Sequence, residues 1–172
     1  MRFLVFIPPK DFRDESLSMV KLFFSKWGVD CKVTSYSSKE CVGSHGAVIT
    51  PDINTSKVFA SEYDGIALID GGGIDEYKLC DYRPLLDLIL NFDSSRKYII
   101  SMGNSVKIPA RANVIGGKKI ATNDRESARL ATLFHGVLSN SNFEMAGNMI
   151  TIKSSSDIED CMQQILEHMG VT

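Results

Sequence analysis

Residues 97–106 read KYIISMGNSV, a short apolar run followed directly by a glycine and two small polar residues. A continuous apolar run of this length is typical of a strand that is buried on both faces of a sheet. Gly103, Asn104 and Ser105 then predict a tight turn into a helix, because glycine adopts a positive φ without the penalty that a Cβ imposes. We expect a strand–turn–helix unit here, and the apex of its turn carries no nucleophilic side chain.

The segments on either side repeat this alternation of short apolar runs and amphipathic stretches. Further strands are predicted over residues 3–7, 29–36, 66–69 and 118–121, with a hairpin or irregular strand over 43–50 and a strand pair, 143–145 with 149–153, across Gly147-Asn148. Helical spacing predicts one helix capped by Asp11 or Asp14 and ending near Trp27, and others over 82–92, 125–138 and 156–169. This alternation predicts a single α/β domain, residues 1–172, with a mostly parallel sheet covered on both faces.

Composition and charge exclude several classes of function. A net charge of −2 gives no electrostatic case for binding nucleic acid or an anionic membrane. No window has the apolar length that spans a bilayer, and the amino-terminal run predicts a first strand and not a signal peptide. The four scattered cysteines form no CxxC pair, and the three histidines are isolated. We therefore expect a cytoplasmic protein with reduced thiols, no metal site and no cofactor.

Polar and glycine residues follow the strands at the edge where parallel α/β sheets bind ligands. Asp70 is followed by Gly71, Gly72 and Gly73, whose amides could face an anion or a developing oxyanion. The alternative is a tight turn that needs glycine only for its positive φ. The glycines match neither GxGxxG nor GxxxxGK[ST], so nucleotide binding is not favoured.

Several segments, in this order along the chain, resemble the ThiJ/PfpI family. They are residues 10–15 (KDFRDE), 46–52 with its Thr50-Pro51-Asp52, 63–66 (YDGI) before the glycines, 97–106, 117–119 and 147–151. The resemblance implies a flavodoxin-like three-layer sandwich related to class I glutamine amidotransferases, and a homodimer or larger homo-oligomer. Its members include intracellular peptidases, deglycase-like and glyoxalase-like enzymes, and stress proteins.

The same resemblance implies a catalytic cysteine at the apex of the turn, a histidine after it and a glutamate from the first loop. In this sequence those positions hold Gly103, Asn104 and Ser16, with Glu15 beside the last. The resemblance also implies glycine amides in a loop that forms an oxyanion hole, and Asp70 stands at one of these glycine positions. Glycine has no side chain and cannot attack a carbonyl, so the resemblance predicts a pseudoenzyme.

Three functions remain open at this point. The favoured one is a non-catalytic protein that binds a partner or a small anionic or carbonyl ligand in a pocket formed by Glu15, Asp70, Ser105 and the glycines at 71–73. The alternative is a protease-, amidase- or glyoxalase-like hydrolase with a non-standard nucleophile, with Cys80, Ser105 and Glu15 as candidates. The third is a structural subunit that pairs with an active paralogue.

Overall fold

A computed structural model describes residues 1–171, and Thr172, the last residue of the predicted domain, lies outside the described residues. The strands are β1 (Arg2–Phe6), β2 (Lys10–Phe12), β3 (Asp30–Ser35), β4 (Cys41–Gly43), β5 (Val48–Ile49), β6 (Ile53–Asn54), β7 (Gly65–Leu68), β8 (Tyr98–Met102), β9 (Lys119–Ile120), β10 (Val137–Leu138), β11 (Phe143–Ala146) and β12 (Met149–Ile152). The α-helices are α1 (Asp14–Lys26), α2 (Gly73–Glu76), α3 (Arg83–Ser94), α4 (Lys107–Arg111), α5 (Arg125–Leu133) and α6 (Ile158–His168).

Seven strands form the central sheet in the order β11-β12-β8-β7-β1-β3-β6. Every neighbouring pair is parallel except β11 with β12, which form a hairpin across Gly147-Asn148 as the sequence predicts. The predicted α/β class with a mostly parallel, flavodoxin-like sheet is therefore confirmed. Two small sheets, β2-β4-β5 and β9-β10, lie outside the central one.

The sheet separates two hydrophobic layers. On one face α1 and α6 pack against it, and the ring of Phe24 in α1 contacts that of Phe3 in β1 in a tilted arrangement, with 5.0 Å between ring centroids. On the other face α3, α4 and α5 cover the strands, and Leu85 and Phe92 of α3 are fully buried. The central strands are buried on both sides, because their apolar runs leave no polar face for solvent. Within residues 1–171, none of the helices is both long enough and apolar enough to cross a membrane.

The predicted helix over residues 125–138 is too long. α5 ends at Leu133, His135 takes a left-handed conformation with φ +68°, and Val137 and Leu138 instead pair as β10 with β9. The ring of Phe134 and the close approach of Gly136 to the side chains of Ile115 and Ile120 fix this turn. Tertiary packing thus overrides the helical spacing of the segment.

Candidate functional site

The carboxyl ends of β7 and β8 meet at a small polar cavity of about 230 Å³. Side chains and backbone from the first loop, from the loops after β7 and β8, and from the segment before α5 line it. Its walls include Arg13, Asp70, Gly72, Gly103, Asn104 and Asp124. This is the edge at which parallel α/β sheets bind ligands, because successive connections leave a crevice there.

Gly103 is at the apex of the turn after β8 and is held in a left-handed conformation, φ +53°. A Cβ built on it would lie 2.7 Å from Oδ2 of Asp70. Its carbonyl accepts a hydrogen bond from the Thr122 hydroxyl at 2.8 Å, which fixes the peptide. Two independent factors, the backbone angle and the lack of space beside Asp70, therefore favour glycine at this position.

The carboxylate of Asp70 occupies the space above the apex. Only 5% of its side chain is exposed. The Ser16 hydroxyl donates to Oδ1 at 2.6 Å, and Nε of Arg13 donates to Oδ2 at 3.0 Å. The backbone N–H of Arg13 also donates to the carbonyl of Asp70 at 2.8 Å, so the first loop is attached to this residue twice. Burial raises the pKa of Asp70, while the hydrogen bond from Ser16 and the charge of Arg13 oppose the rise.

Asn104 joins the turn after β8 to the loop after β7. Its side-chain oxygen accepts the Gly71 N–H at 3.0 Å, and its side-chain nitrogen donates to the Gly71 carbonyl at 2.8 Å. Gly71, φ +141°, forms an antiparallel bridge with Phe12 and has no room for a Cβ beside the backbone of residues 11–13. The Gly71 N–H is thus already bonded to Asn104 and is not free to donate to a ligand.

The remaining predicted site residues take different places. Gly72 lines the cavity, whereas Gly73 begins α2 and is buried against the backbone of Lys10. Ser105 is fully buried, and its hydroxyl accepts from the Met102 N–H at 2.9 Å and contacts the carbonyls of Leu68 and Met102 at 2.9 and 2.7 Å. Glu15 is exposed and lines a separate groove of about 530 Å³. The structure therefore brings Ser16, Asp70, Gly71, Gly72, Gly103 and Asn104 together and leaves Glu15, Gly73 and Ser105 outside the cavity.

The cysteine thiols are not activated. Cys80 is half-buried in a 3-10 turn, Leu79–Asp81, outside the cavity, and burial together with the charge of Asp81 raises its pKa. Burial also raises the pKa values of Cys31 and Cys41, and it raises that of Cys161 to about 12. At neutral pH a thiol with a raised pKa is protonated and is a weak nucleophile. Within residues 1–171, no three or more His, Cys, Asp and Glu side chains are grouped so that they could hold a metal ion.

Sequence reasoning missed three residues of the cavity: Arg13, Asn123 and Asp124. Asn123 and Asp124 carry a clear sequence signal, but it is a helix-capping signal, and Asp124 does cap α5 through the Ser127 N–H at 2.9 Å. Arg13 precedes α1 and has no local pattern that would mark it as a site residue. Its role depends on Asp70, 57 residues later in the chain.

Comparison with known proteins gives this geometry a family context. The model of the DJ-1/PfpI family matches residues 1–168. The chain belongs to the DJ-1/PfpI family. The predicted resemblance to ThiJ/PfpI proteins is thereby confirmed, and the empty apex at Gly103 lies in a DJ-1/PfpI domain.

This chain is similar to relatives of known sequence or structure over different extents. An uncharacterized protein of Methanocaldococcus jannaschii is 34% identical over 116 residues, which are 67% of this chain and 56% of that protein, so the match spans about half of the relative. A ThiJ/PfpI domain protein from Brachyspira murdochii superposes with a TM-score of 0.91 at 20% identity, covering 99% of this chain and 97% of that one. A two-domain protein of Anabaena variabilis, with DJ-1/ThiJ/PfpI-like and ferritin-like domains, superposes with a TM-score of 0.90 at 16% identity, covering 99% of this chain and 50% of that one.

Proposed function

We propose that this DJ-1/PfpI protein is a non-catalytic member that binds a ligand or a partner. The observation that carries the proposal is the pairing of Gly103 with Asp70. The apex has no side chain, and a buried carboxylate fills the space in which a nucleophile would begin. A carboxylate at this place also opposes the negative charge that develops on a carbonyl oxygen under attack.

The candidate replacement nucleophiles give no support to the alternative hydrolase. Ser105 has no accessible hydroxyl, since it is fully buried and bonded to the turn that it closes. The Cys80 thiol has a raised pKa and does not line the cavity, and Glu15 faces another groove. A nucleophile needs an adjacent base or a lowered pKa, and the pKa of Cys80 is shifted in the opposite direction.

The experiment is an activity comparison with purified protein on peptide, ester and methylglyoxal substrates. We expect no turnover by the unmodified chain and none by Cys80→Ala or Ser105→Ala. Robust turnover that Cys80→Ala or Ser105→Ala abolishes, but that Cys31→Ala leaves intact, would show an enzyme with a replacement nucleophile and end the proposal. A Gly103→Cys/Asp70→Gly variant serves as the matched positive arm, because it supplies a thiol and removes the carboxylate that occupies its space.

The assembly and location of the protein belong to the same proposal. We expect a homodimer or larger homo-oligomer in the cytoplasm, on the family resemblance and on the four free, scattered cysteines, which are typical of a reducing compartment. Light scattering coupled to size-exclusion chromatography tests the assembly, and a monomer across the micromolar range would contradict it. Co-purification with a paralogue that retains the apex cysteine would instead favour the role of structural subunit.

A further inference from the structure

The cavity beside Gly103 has the size of a small metabolite. Its volume of about 230 Å³ lies below the roughly 300–1,000 Å³ of pockets that hold drug-sized molecules. A ligand that fills it therefore has few non-hydrogen atoms, and its recognition depends on a small number of polar contacts.

At one side of the cavity, Arg13 offers donors without a protein partner. Its Nε is used by Asp70 at 3.0 Å, and within residues 1–171 no hydrogen-bond acceptor is in reach of Nη1 or Nη2. The side chain is 45% exposed, so these nitrogens are open to a ligand. Because Asp70 holds Nε, the plane of the guanidinium is fixed in advance. A fixed guanidinium with free terminal N–H groups is matched by a carboxylate.

Asp124, which also lines the cavity, offers the complementary acceptor. Its Oδ2 accepts from the N–H and the hydroxyl of Ser127, at 2.9 and 2.7 Å. Within the described part of the chain, Oδ1 of Asp124 accepts no hydrogen bond, and 36% of the side chain is exposed. The cap thus holds the carboxylate in place through one oxygen and leaves the other for a cationic group.

The charges around the cavity are nearly balanced. Arg13 faces Asp70, and Asp124 lies 3.9 Å from Nζ of Lys107, which itself pairs with Asp75 at 2.8 Å. A phosphate would place added negative charge between Asp70 and Asp124, and a polyamine would add positive charge beside Arg13. A ligand that carries one charge of each sign and no net charge avoids both penalties.

We propose that this cavity binds a free α-amino acid, with its carboxylate on Nη1 and Nη2 of Arg13 and its ammonium group on Oδ1 of Asp124. The assignment rests on the proposed function, because it treats the cavity as a binding site in which no covalent step occurs. Asn123, which also lines the cavity, supplies a neutral amide for the ligand's side chain.

The test is isothermal titration calorimetry of the full chain at pH 7 with each proteinogenic L-amino acid. The tightest ligand is then compared with its decarboxylated amine, with its deaminated carboxylic acid and with inorganic phosphate. We expect one amino acid bound per chain. Loss of either charged group of the ligand should weaken binding by about tenfold or more, the factor that follows from losing one charged hydrogen bond.

Two variants assign the contacts, each with a matched control. Arg13→Gln should weaken binding of the amino acid by about tenfold or more, and the variant should no longer bind the amino acid more tightly than the decarboxylated amine. Asp124→Asn, which keeps an oxygen for the Ser127 cap, should abolish the preference over the deaminated acid. Arg111→Gln and Glu126→Gln change exposed charges outside the cavity and should leave binding unchanged. If Arg13→Gln does not fold, Arg13→Lys and the ligand-side comparison still test the carboxylate contact.

The outcomes separate this inference from the proposed function. No binding of any amino acid below millimolar concentration overturns the ligand assignment alone, as does equal affinity for the amine, the acid or phosphate. Turnover of peptide, ester or methylglyoxal by the unmodified chain overturns the proposed function. The calorimetric comparison still decides whether the cavity holds a zwitterion, because it measures binding in the absence of those substrates.

Discussion

Replacing Gly103 with alanine should destabilise the fold by about 2–5 kcal/mol. The left-handed backbone at φ +53° costs a residue with a Cβ about 1–2 kcal/mol. The new methyl group would also lie 2.7 Å from Oδ2 of Asp70. Moving this buried carboxylate away from Ser16 and Arg13 forfeits about 1–3 kcal/mol of charged hydrogen bonding.

Urea unfolding followed by circular dichroism measures the free energy of unfolding of Gly103→Ala. Two other glycines separate the contributions. Gly117 has a positive φ of +73° and open space, so Gly117→Ala should cost the backbone penalty alone. Gly116 has open space and no positive φ, so Gly116→Ala should be nearly neutral.

A double-mutant cycle with Asp70→Ala isolates the contact between the apex and the carboxylate. In the Asp70→Ala background, Gly103→Ala should cost only about the backbone penalty measured at Gly117. The reasoning fails if Gly103→Ala is no more costly than Gly117→Ala, or if its cost is undiminished when Asp70 is already alanine. Either result would mean that Asp70 does not restrict the apex.

Three further predictions concern neighbouring residues. Burial raises the pKa of Asp70 above its ordinary value of 3.8, so the folded state binds the proton more readily. The stability contributed by this group should fall as pH rises from about 3.8 through the folded pKa. Urea unfolding over a pH series should show this fall as a difference between the unmodified chain and Asp70→Asn, and parallel pH profiles would contradict it. Ser105→Ala should lower the free energy of unfolding by about 1–3 kcal/mol, because the buried Met102 N–H loses its acceptor. Ser95→Ala, at an exposed helix end, is the control in the same urea unfolding measurement. Equal losses of stability in the two variants would refute the role of Ser105. His135→Gly should stabilise the fold by about 1 kcal/mol, because His135 has φ +68°; calorimetric melting checks this, and a lower melting temperature would contradict it.

The sheet could be predicted because its signals are local. Buried parallel strands appear as continuous apolar runs, and the hairpin of β11 and β12 has its Gly147-Asn148 turn in the sequence. The end of α5 could not be predicted in the same way. Apolar residues keep helical spacing past Leu133, and the stop depends on a histidine that adopts a left-handed conformation and on packing against Ile115 and Ile120.

The site was only half accessible to sequence reasoning. The resemblance to the family located the apex at Gly103 and its companions Asn104 and Ser16, and the structure brings all three to one edge of the sheet. What these side chains bond to could not be read from spacing. Ser16 lies 54 residues from Asp70, and Asn104 lies 33 residues from Gly71. Such contacts form only when the strands assemble into the sheet, and no periodic pattern in the sequence indicates them.

The reciprocal pair between Asn104 and Gly71 has a consequence for how the cavity meets a ligand. A side-chain amide that both donates to and accepts from a peptide group acts as an extra rung of the β7–β8 ladder, placed beyond the last backbone pair. The two loops it joins are thus ordered when the chain folds, before any ligand arrives. A molecule entering the cavity meets walls already in position, so little conformational entropy is lost on binding, and even a ligand of a few atoms can be held by few contacts.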